Sequence, residues 1–233
     1  MKVLKISLKA FSIVFPFFDF LYILQLEEYY TKNYFLSLKR FFLRRNLQKR
    51  GKLVFTYRIQ CILGASIGLF LFSLFFFSRV LNNWLLGTFT SSLMIPLWIG
   101  VSNILLAPFF KLLRLYIQKK ASLHFKKINQ NTKVIAIAGS FGKTTTKNLL
   151  YQFIKYNYNT QMIPGNINTP AGIAVWLLNN FNQPARYLLV EMDTYEKGEI
   201  CQSCQVLKPD IAIITSIGDQ HLARFGTTKN LSH

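Results

Sequence analysis

Val134-Ile-Ala-Ile-Ala-Gly139-Ser-Phe-Gly142-Lys143-Thr144-Thr145-Thr146-Lys147 is the stretch that decides the fold. Its first five residues are apolar and either small or β-branched, which predicts a strand buried on both faces in a parallel sheet. Gly139 ends that run, and beyond Gly142 a helical pattern continues to about Lys155. Strand, glycine loop and helix in this order build an anion site, because loop amides and the helix dipole converge on one point. Lys143 adds a point charge for phosphates, and the Thr144 hydroxyl can sit on Mg²⁺. The general P-loop pattern also wants a glycine at position 137, where this chain has Ile137, so the match to that pattern is incomplete.

Composition narrows the rest. Half of the 233 residues are hydrophobic and 22 are Phe, more than a soluble core would use. The net charge of +19 would suit a nucleic-acid binder if it were spread over the chain. It is not. Residues 1–132 hold 19 Lys/Arg against 3 Asp/Glu, a net of +16, while residues 133–233 hold 9 against 6, a net of +3. The excess lies beside the apolar runs, which points to anionic lipid head groups and topology setting, and away from nucleic acid.

Working back from the glycine loop, Ile59–Ser78 is free of charged residues and long enough for one crossing of a hydrocarbon core about 30 Å thick. Leu85–Leu106 is the second apolar stretch, with Pro96 as a candidate kink. Lys111, Arg114, Lys119, Lys120, Lys126 and Lys127 follow it, and Lys39, Arg40, Arg44, Arg45, Lys49, Arg50, Lys52 and Arg58 precede the first. The hairpin tip carries only Arg79. By the positive-inside rule both ends lie on the cytoplasmic side of the cell membrane, and so does everything after residue 111. The apolar run 10–26 is interrupted by Pro16 and Asp19 and reads equally as an interfacial or a spanning segment. The expected organisation is an apolar N-terminal segment (1–31) and a basic amphipathic segment (32–58). A transmembrane hairpin (59–110, with spans 59–78 and 85–106), a basic juxtamembrane helix (111–132) and an α/β domain (133–233) follow.

Within that last domain strands and helices alternate: strand 134–138, helix 143–155, strand 160–163, helix 171–181, strand 186–192, helix 197–207, strand 210–217. Such alternation predicts a doubly wound, mostly parallel sheet whose ligands collect at the carboxyl ends of the strands. Glu191 closes an apolar strand, where a carboxylate has little structural reason to be. Beside the glycine loop it is the expected second Mg²⁺ contact, with Asp193 a weaker candidate. His221 follows the last strand and, alone, would be an ordinary surface histidine. With Glu191 and Thr144 at the same sheet edge, a metal or substrate role is the better reading. Cys201-Gln-Ser-Cys204 has the Cys-x-x-Cys spacing but lacks a second pair to complete a zinc site; a redox pair early in a helix stays open as a reading, and two reduced helix cysteines are the favoured one.

Four motifs in order carry a family resemblance. Gly139-Ser-Phe-Gly-Lys-Thr-Thr, Val190-Glu191-Met192, Gly198-Glu199-Ile200 and Pro209-Asp-Ile-Ala-Ile-Ile-Thr-Ser-Ile-Gly218 followed by His221-Leu222 resemble the Mur ligase central domain. They are most similar to its D-alanyl-D-alanine-adding branch. The resemblance covers about residues 130–233 and implies an ATP-dependent ligase that joins a carboxylate to an amine through an acyl phosphate, with a cell-wall precursor peptide as substrate. It implies that Gly139, Ser140, Phe141, Gly142, Lys143, Thr144 and Thr145 hold the ATP phosphates, and that Thr144 and Glu191 bind Mg²⁺. By the same resemblance His221 helps bind a second ion, and Lys143, Glu191 and His221 form the catalytic set. Asn166, Asn168 and Thr169 resemble the family's substrate loop, although Gly-Asn-x-Asn-Thr-Pro is equally a turn-and-cap sequence.

The chain departs from the family in three places. The membrane hairpin stands where members have a nucleotide-sugar-binding domain. Ala223 replaces the glutamate of the family's His-Leu-Glu. The sequence ends at His233, before the family's carbamylated lysine and C-terminal domain, so a fragment of a longer ligase is expected. Two other readings remain: a membrane ligase for poly-γ-glutamate, and a membrane scaffold that binds nucleotide without catalysis.

Overall fold

The computed structural model describes residues 17–44, 52–129, 131–194 and 198–216. The chain divides into two units, Met1–Lys111 and Leu112–His233.

The first unit is helical. Its described elements are α1 (Phe17–Leu26), α2 (Thr31–Arg44), α3 (Tyr57–Val80), α4 (Trp84–Leu93) and the beginning of α5 (Ile95–Ile128). Leu21, Ile23 and Leu24 of α1 pack with Tyr34 and Leu38 of α2, Ile59 and Ile62 of α3, and Ile95 and Ile99 of α5 in one apolar cluster. Residues 17–26 are thus one short helix with a buried face, and residues 1–16 of the expected N-terminal segment lie outside the described residues. The basic segment 32–58 is likewise divided. Thr31–Arg44 is helical, 45–51 are outside the described residues, and Tyr57 already belongs to α3.

Thr56 caps α3, its Oγ1 accepting from Ile59 N at 3.3 Å. The helix stops at Leu81, and Asn82 takes a left-handed φ of 46° that turns the chain. Asn83 then caps α4, its Oδ1 accepting from Leu85 N (2.9 Å) and Leu86 N (3.2 Å). Gly87 lies so near α3 that a Cβ there would be 2.8 Å from Ser78 Cα. We therefore expect Gly87→Leu to force these helices apart and destabilise the hairpin by about 1–3 kcal/mol, read as a lower unfolding midpoint in detergent. The second apolar stretch, Leu85–Leu106, is shared between two helices: α4 ends at a turn closed by Met94 N on Ser91 O (3.1 Å), and α5 starts at Ile95. Pro96 falls in the first turn of α5, where its missing N–H leaves no bond unmade. Helix α5 then runs past residue 111 to Ile128, so the basic run 111–128 continues the helix that began in the apolar stretch.

One polar network joins several helices of this unit. The Arg58 guanidinium stacks 3.9 Å from the centre of the Tyr29 ring and donates to Asn103 Oδ1 at 3.1 Å. Asn103 Nδ2 lies 2.9 Å from Tyr29 O and 3.0 Å from Thr31 Oγ1, joining the α1–α2 turn to α5. Helices α3 and α5 are long and apolar enough to cross a membrane.

The second unit is α/β. After the last turns of α5 come β1 (Lys133–Ala138), α6 (Lys143–Ile154), β2 (Thr160–Met162), α7 (Pro170–Asn180), β3 (Tyr187–Glu191), α8 (Glu199–Leu207) and β4 (Ile211–Ile214). The four strands are parallel in the order β2-β3-β1-β4. Alternate residues of β1 face opposite ways. Ile135 and Ile137, with Leu189 of β3, pack against Leu150, Tyr151 and Ile154 of α6. Val134 and Ala136, with Leu188 and Val190, pack against Ile173, Ala174 and Leu177 of α7, Val206 and Leu207 of α8, and Ala121 and Phe125 of α5. The chain steps one way along the sheet from β1 to β2 and the opposite way from β2 to β3 and from β3 to β4. Right-handed crossovers then place α6 on one face and α7 with α8 on the other, as found. The sheet is doubly wound, as expected. Its direction of winding changes between β1 and β3, and a crevice opens at their carboxyl ends.

Candidate functional site

The crevice between β1 and β3 is where the chemistry-bearing side chains meet. Register pairs Ile137 with Glu191, so β3 delivers Glu191 beside the last turn of β1, where the glycine loop departs. Gly139 adopts φ 138° and Gly142 φ 80°, both in the region that favours glycine. At Gly139 a Cβ would also lie 2.9 Å from the backbone N and O of Ser216, so that position tolerates no side chain. At Gly142 a Cβ would meet nothing within 4 Å among the described residues. The first amide of α6 to bond back into the helix is Thr146 N, to Gly142 O at 2.9 Å. Those of Gly142 to Thr145 precede that ladder and lie at the positive end of the helix.

Lys143 and Lys147 stand one turn apart on the same face of α6, and both are buried. Lys143 Nζ donates to Gly139 O at 2.7 Å and lies 3.6 Å from Asp193 Oδ1. Lys147, with no exposed surface, donates to Ile163 O at 2.8 Å and lies 3.7 Å from Glu191 Oε2. Burial pulls the Lys147 ammonium below the ordinary lysine pKa, and the Glu191 carboxylate beside it pulls the other way. The same Glu191 Oε2 accepts from Thr144 Oγ1 at 2.8 Å. Glu191 itself is 3% exposed. Two lysines therefore face two carboxylates in one crevice, with a hydroxyl between them.

The donors that face each other, a threonine hydroxyl and a carboxylate, are hard oxygens of the kind Mg²⁺ prefers. Among the described residues, no group of three or more His, Cys, Asp or Glu is arranged to hold a metal. A magnesium ion at Thr144 and Glu191 would therefore fill its shell with water and ligand oxygens, as it commonly does. In that limited sense the residues fit the ion.

Four residues at this edge were not expected. Lys147 occupies a position in the apolar stripe of α6 formed with Leu150, Tyr151 and Ile154, and a lysine in such a stripe is itself a signal. Gly165 closes the crevice: a Cβ there would lie 3.1 Å from Thr144 Cγ2 and 3.4 Å from both Glu191 Oε2 and Lys147 Nζ. Thr215 and Ser216 follow β4 and hold the glycine loop. Thr215 Oγ1 donates to Phe141 O at 2.6 Å, Phe141 N donates to Ser216 Oγ at 2.9 Å, and Ser140 N donates to Ser216 O at 2.8 Å. Thr145 is exposed at the start of α6.

Residues 166–169, expected as a substrate loop, form a turn and a helix cap beside this group. Thr169 Oγ1 accepts from Gly172 N at 3.3 Å and caps α7. Asn168 O accepts from Asp193 N at 3.0 Å, and the Pro164–Ile167 turn carries Asn166. His221 lies outside the described residues. Cys201 is exposed near the start of α8, and Cys204 Sγ lies 4.0 Å from Met192 Sδ.

Residues 137–233 match the family model described as the Mur ligase middle domain, which bears out the resemblance seen in the motifs. Curated relatives are UDP-N-acetylmuramoyl-tripeptide–D-alanyl-D-alanine ligases. That of Rickettsia prowazekii is 32% identical over 108 residues, covering 46% of this chain and 24% of that protein. That of Borreliella burgdorferi is 39% identical over 93 residues, 40% of this chain and 20% of the relative. That of Bacillus subtilis is 32% identical over 101 residues, 43% and 22%. The chain spans about a quarter of the length of the curated relatives it matches. Among solved structures, the MurF ligase of Thermotoga maritima in complex with ADP aligns over 51% of this chain and 27% of its own, at 31% identity and a TM-score of 0.48.

Proposed function

We propose, from the match of residues 137–233 to the Mur ligase middle domain, that the α/β unit binds ATP with Mg²⁺ for a MurF-type amide ligase of peptidoglycan synthesis. The observation that carries this reading is the Thr144 hydroxyl set 2.8 Å from the Glu191 carboxylate, under a glycine loop at the point where the sheet's winding changes. The loop amides and Lys143 would take the phosphates, with Lys143 leaving Gly139 O to do so. Thr144 and Glu191 would hold a magnesium ion that would neutralise phosphate charge, and His221 would contribute to a second. Asn166, Asn168 and Thr169 would lie along the acid substrate. The substrate carboxylate then attacks the γ-phosphorus, ADP leaves, and the resulting acyl phosphate yields an amide and phosphate when the amine attacks. Such a reaction asks the protein for positioning and charge neutralisation, which is what this edge supplies.

The helical unit would hold this domain at the cytoplasmic face of the cell membrane. In support, α3 and α4 turn Phe72, Phe75, Phe76, Leu85, Phe89 and Leu93 outward, each more than half exposed. Lys111, Lys119, Lys120, Lys126 and Lys127 are exposed along α5 and suit anionic head groups. With native cysteines removed, a membrane-impermeant maleimide applied to intact cells should label Trp84→Cys at the hairpin tip and spare Lys119→Cys. The reverse pattern would overturn the orientation.

Activity is tested with the full-length gene product in nanodiscs and Mg²⁺-ATP. ADP release requiring both UDP-N-acetylmuramoyl-tripeptide and D-alanyl-D-alanine is the expected result. Release that depends on glutamate alone would point to a poly-γ-glutamate ligase, and bound nucleotide without turnover to a binding-only role. We expect Gly165→Val, whose side chain has to displace Thr144, Glu191 or Lys147, to weaken nucleotide binding at least tenfold, or by about 1.4 kcal/mol, in the same preparation.

A further inference from the structure

Lys147 has no part in the proposed nucleotide site, yet among the described residues no other charged side chain of the crevice is so deeply enclosed. Its ammonium is fixed from one side by Ile163 O at 2.8 Å and faces Glu191 Oε2 at 3.7 Å. That same oxygen already accepts the Thr144 proton. Gly165 covers all three groups so closely that any side chain there would touch them. The carboxylate oxygen proposed to meet a metal ion therefore has an ammonium neighbour that cannot swing away into water. A divalent ion arriving alone would find one carboxylate already neutralised, a repelling ammonium close by, and no cluster of three or more ligating side chains among the described residues. An ion arriving with a triphosphate brings its own negative oxygens, and these offset the ammonium.

We propose that Lys147 is a built-in counter-ion that makes divalent-metal binding at Thr144–Glu191 conditional on a bound nucleoside triphosphate. With the crevice empty, Lys147 balances the buried carboxylate. When nucleotide enters, the metal and the phosphates enter together, and Lys147 stays in place to keep Glu191 aimed at them. The residue acts by positioning and charge and does not touch the reacting atoms. This inference rests on the nucleotide site proposed above and adds the order in which its occupants are accepted.

The test is a Mn²⁺ titration of the full chain in detergent, followed by electron paramagnetic resonance, with and without a non-hydrolysable ATP analogue. Wild type should hold Mn²⁺ more weakly than about 1 mM alone and at least tenfold more tightly with the analogue. Lys147→Met should hold Mn²⁺ without nucleotide at least tenfold more tightly than wild type, and adding Glu191→Gln to it should abolish the gain. Tight Mn²⁺ binding by nucleotide-free wild type, or no gain in Lys147→Met, overturns the proposal. Should Lys147→Met fail to fold, the wild-type titration decides alone, because conditional binding is a property of the unaltered chain. If wild type binds neither the analogue nor Mn²⁺ with it, the nucleotide site itself is refuted. If the analogue binds and Mn²⁺ does not need it, only the role of Lys147 is.

Discussion

Lys143→Ala is expected to weaken ATP binding by the full chain about 100-fold, close to 3 kcal/mol, the upper end for a hydrogen bond to a charged group. The side chain starts helix α6 at the mouth of the glycine loop and is almost wholly buried. Its ammonium rests on Gly139 O, at the base of the same loop, with Asp193 3.6 Å away. A ligand phosphate would replace that carbonyl without any large movement of the chain. Isothermal titration with Mg²⁺-ATP in detergent measures the loss directly. Lys143→Arg should recover only part of it, since a planar guanidinium does not fit a site shaped for a point charge. Equal affinity in Lys143→Ala and wild type would remove Lys143 from the site.

Glu191→Ala should have the largest effect on stability. It strands the Lys147 ammonium, which has no exposed surface, and takes away the acceptor of the Thr144 hydroxyl. Breaking a buried ion pair from one side costs about 3–5 kcal/mol, because the remaining charge stays buried without its partner. Trp176 packs at the edge of the core between the sheet and α7, so its fluorescence reports on this unit. In a Trp84→Phe, Trp98→Phe background, chemical denaturation should show a much lower midpoint for Glu191→Ala and a milder loss for the double variant Glu191→Gln, Lys147→Met. The double variant removes both charges together, and replacing both members of a buried pair is far less disruptive than removing one. Equal losses in the two would mean that the pair carries no electrostatic coupling.

Much of the α/β unit was legible from residue pattern alone. The apolar run 134–138 between polar neighbours could only be a buried strand, and Pro170 after Thr169 marked the first turn of α7. Glu191 stood out because an acid at the end of Tyr-Leu-Leu-Val needs a partner, and the fold supplies Thr144 and Lys147. What stayed hidden depended on strand order. Nothing local says that β3 lies next to β1, so nothing local pairs Glu191 with a lysine on α6. Lys147 passed as one more charge on a helix, although its spacing to Leu150, Tyr151 and Ile154 puts it on the apolar stripe. Gly165 looked like part of an ordinary Pro-Gly-Asn turn, and its reason for being glycine lies in three side chains from two other elements. Thr215 and Ser216 read as the polar end of a strand, whereas in the structure they fasten the glycine loop.

The helical unit shows the opposite balance. Lengths and charges marked the apolar stretches, but the division at Met94 was obscured, since Pro96 reads as a kink as readily as a first-turn residue. Arg58 counted only as one more charge and Asn103 lay unremarked within an apolar stretch, although together they knit three helices of the first unit.

If the proposed function holds, a magnesium-bound nucleoside triphosphate docks where β1 and β3 end. The most direct measurement is calorimetric titration of the full chain in nanodiscs with ATP and ADP, in the presence and absence of Mg²⁺. Submillimolar binding that requires Mg²⁺ and is lost in Lys143→Ala is the predicted result. A chain that unfolds cooperatively, and is therefore folded, yet retains neither nucleotide at millimolar concentration with Mg²⁺ would contradict it.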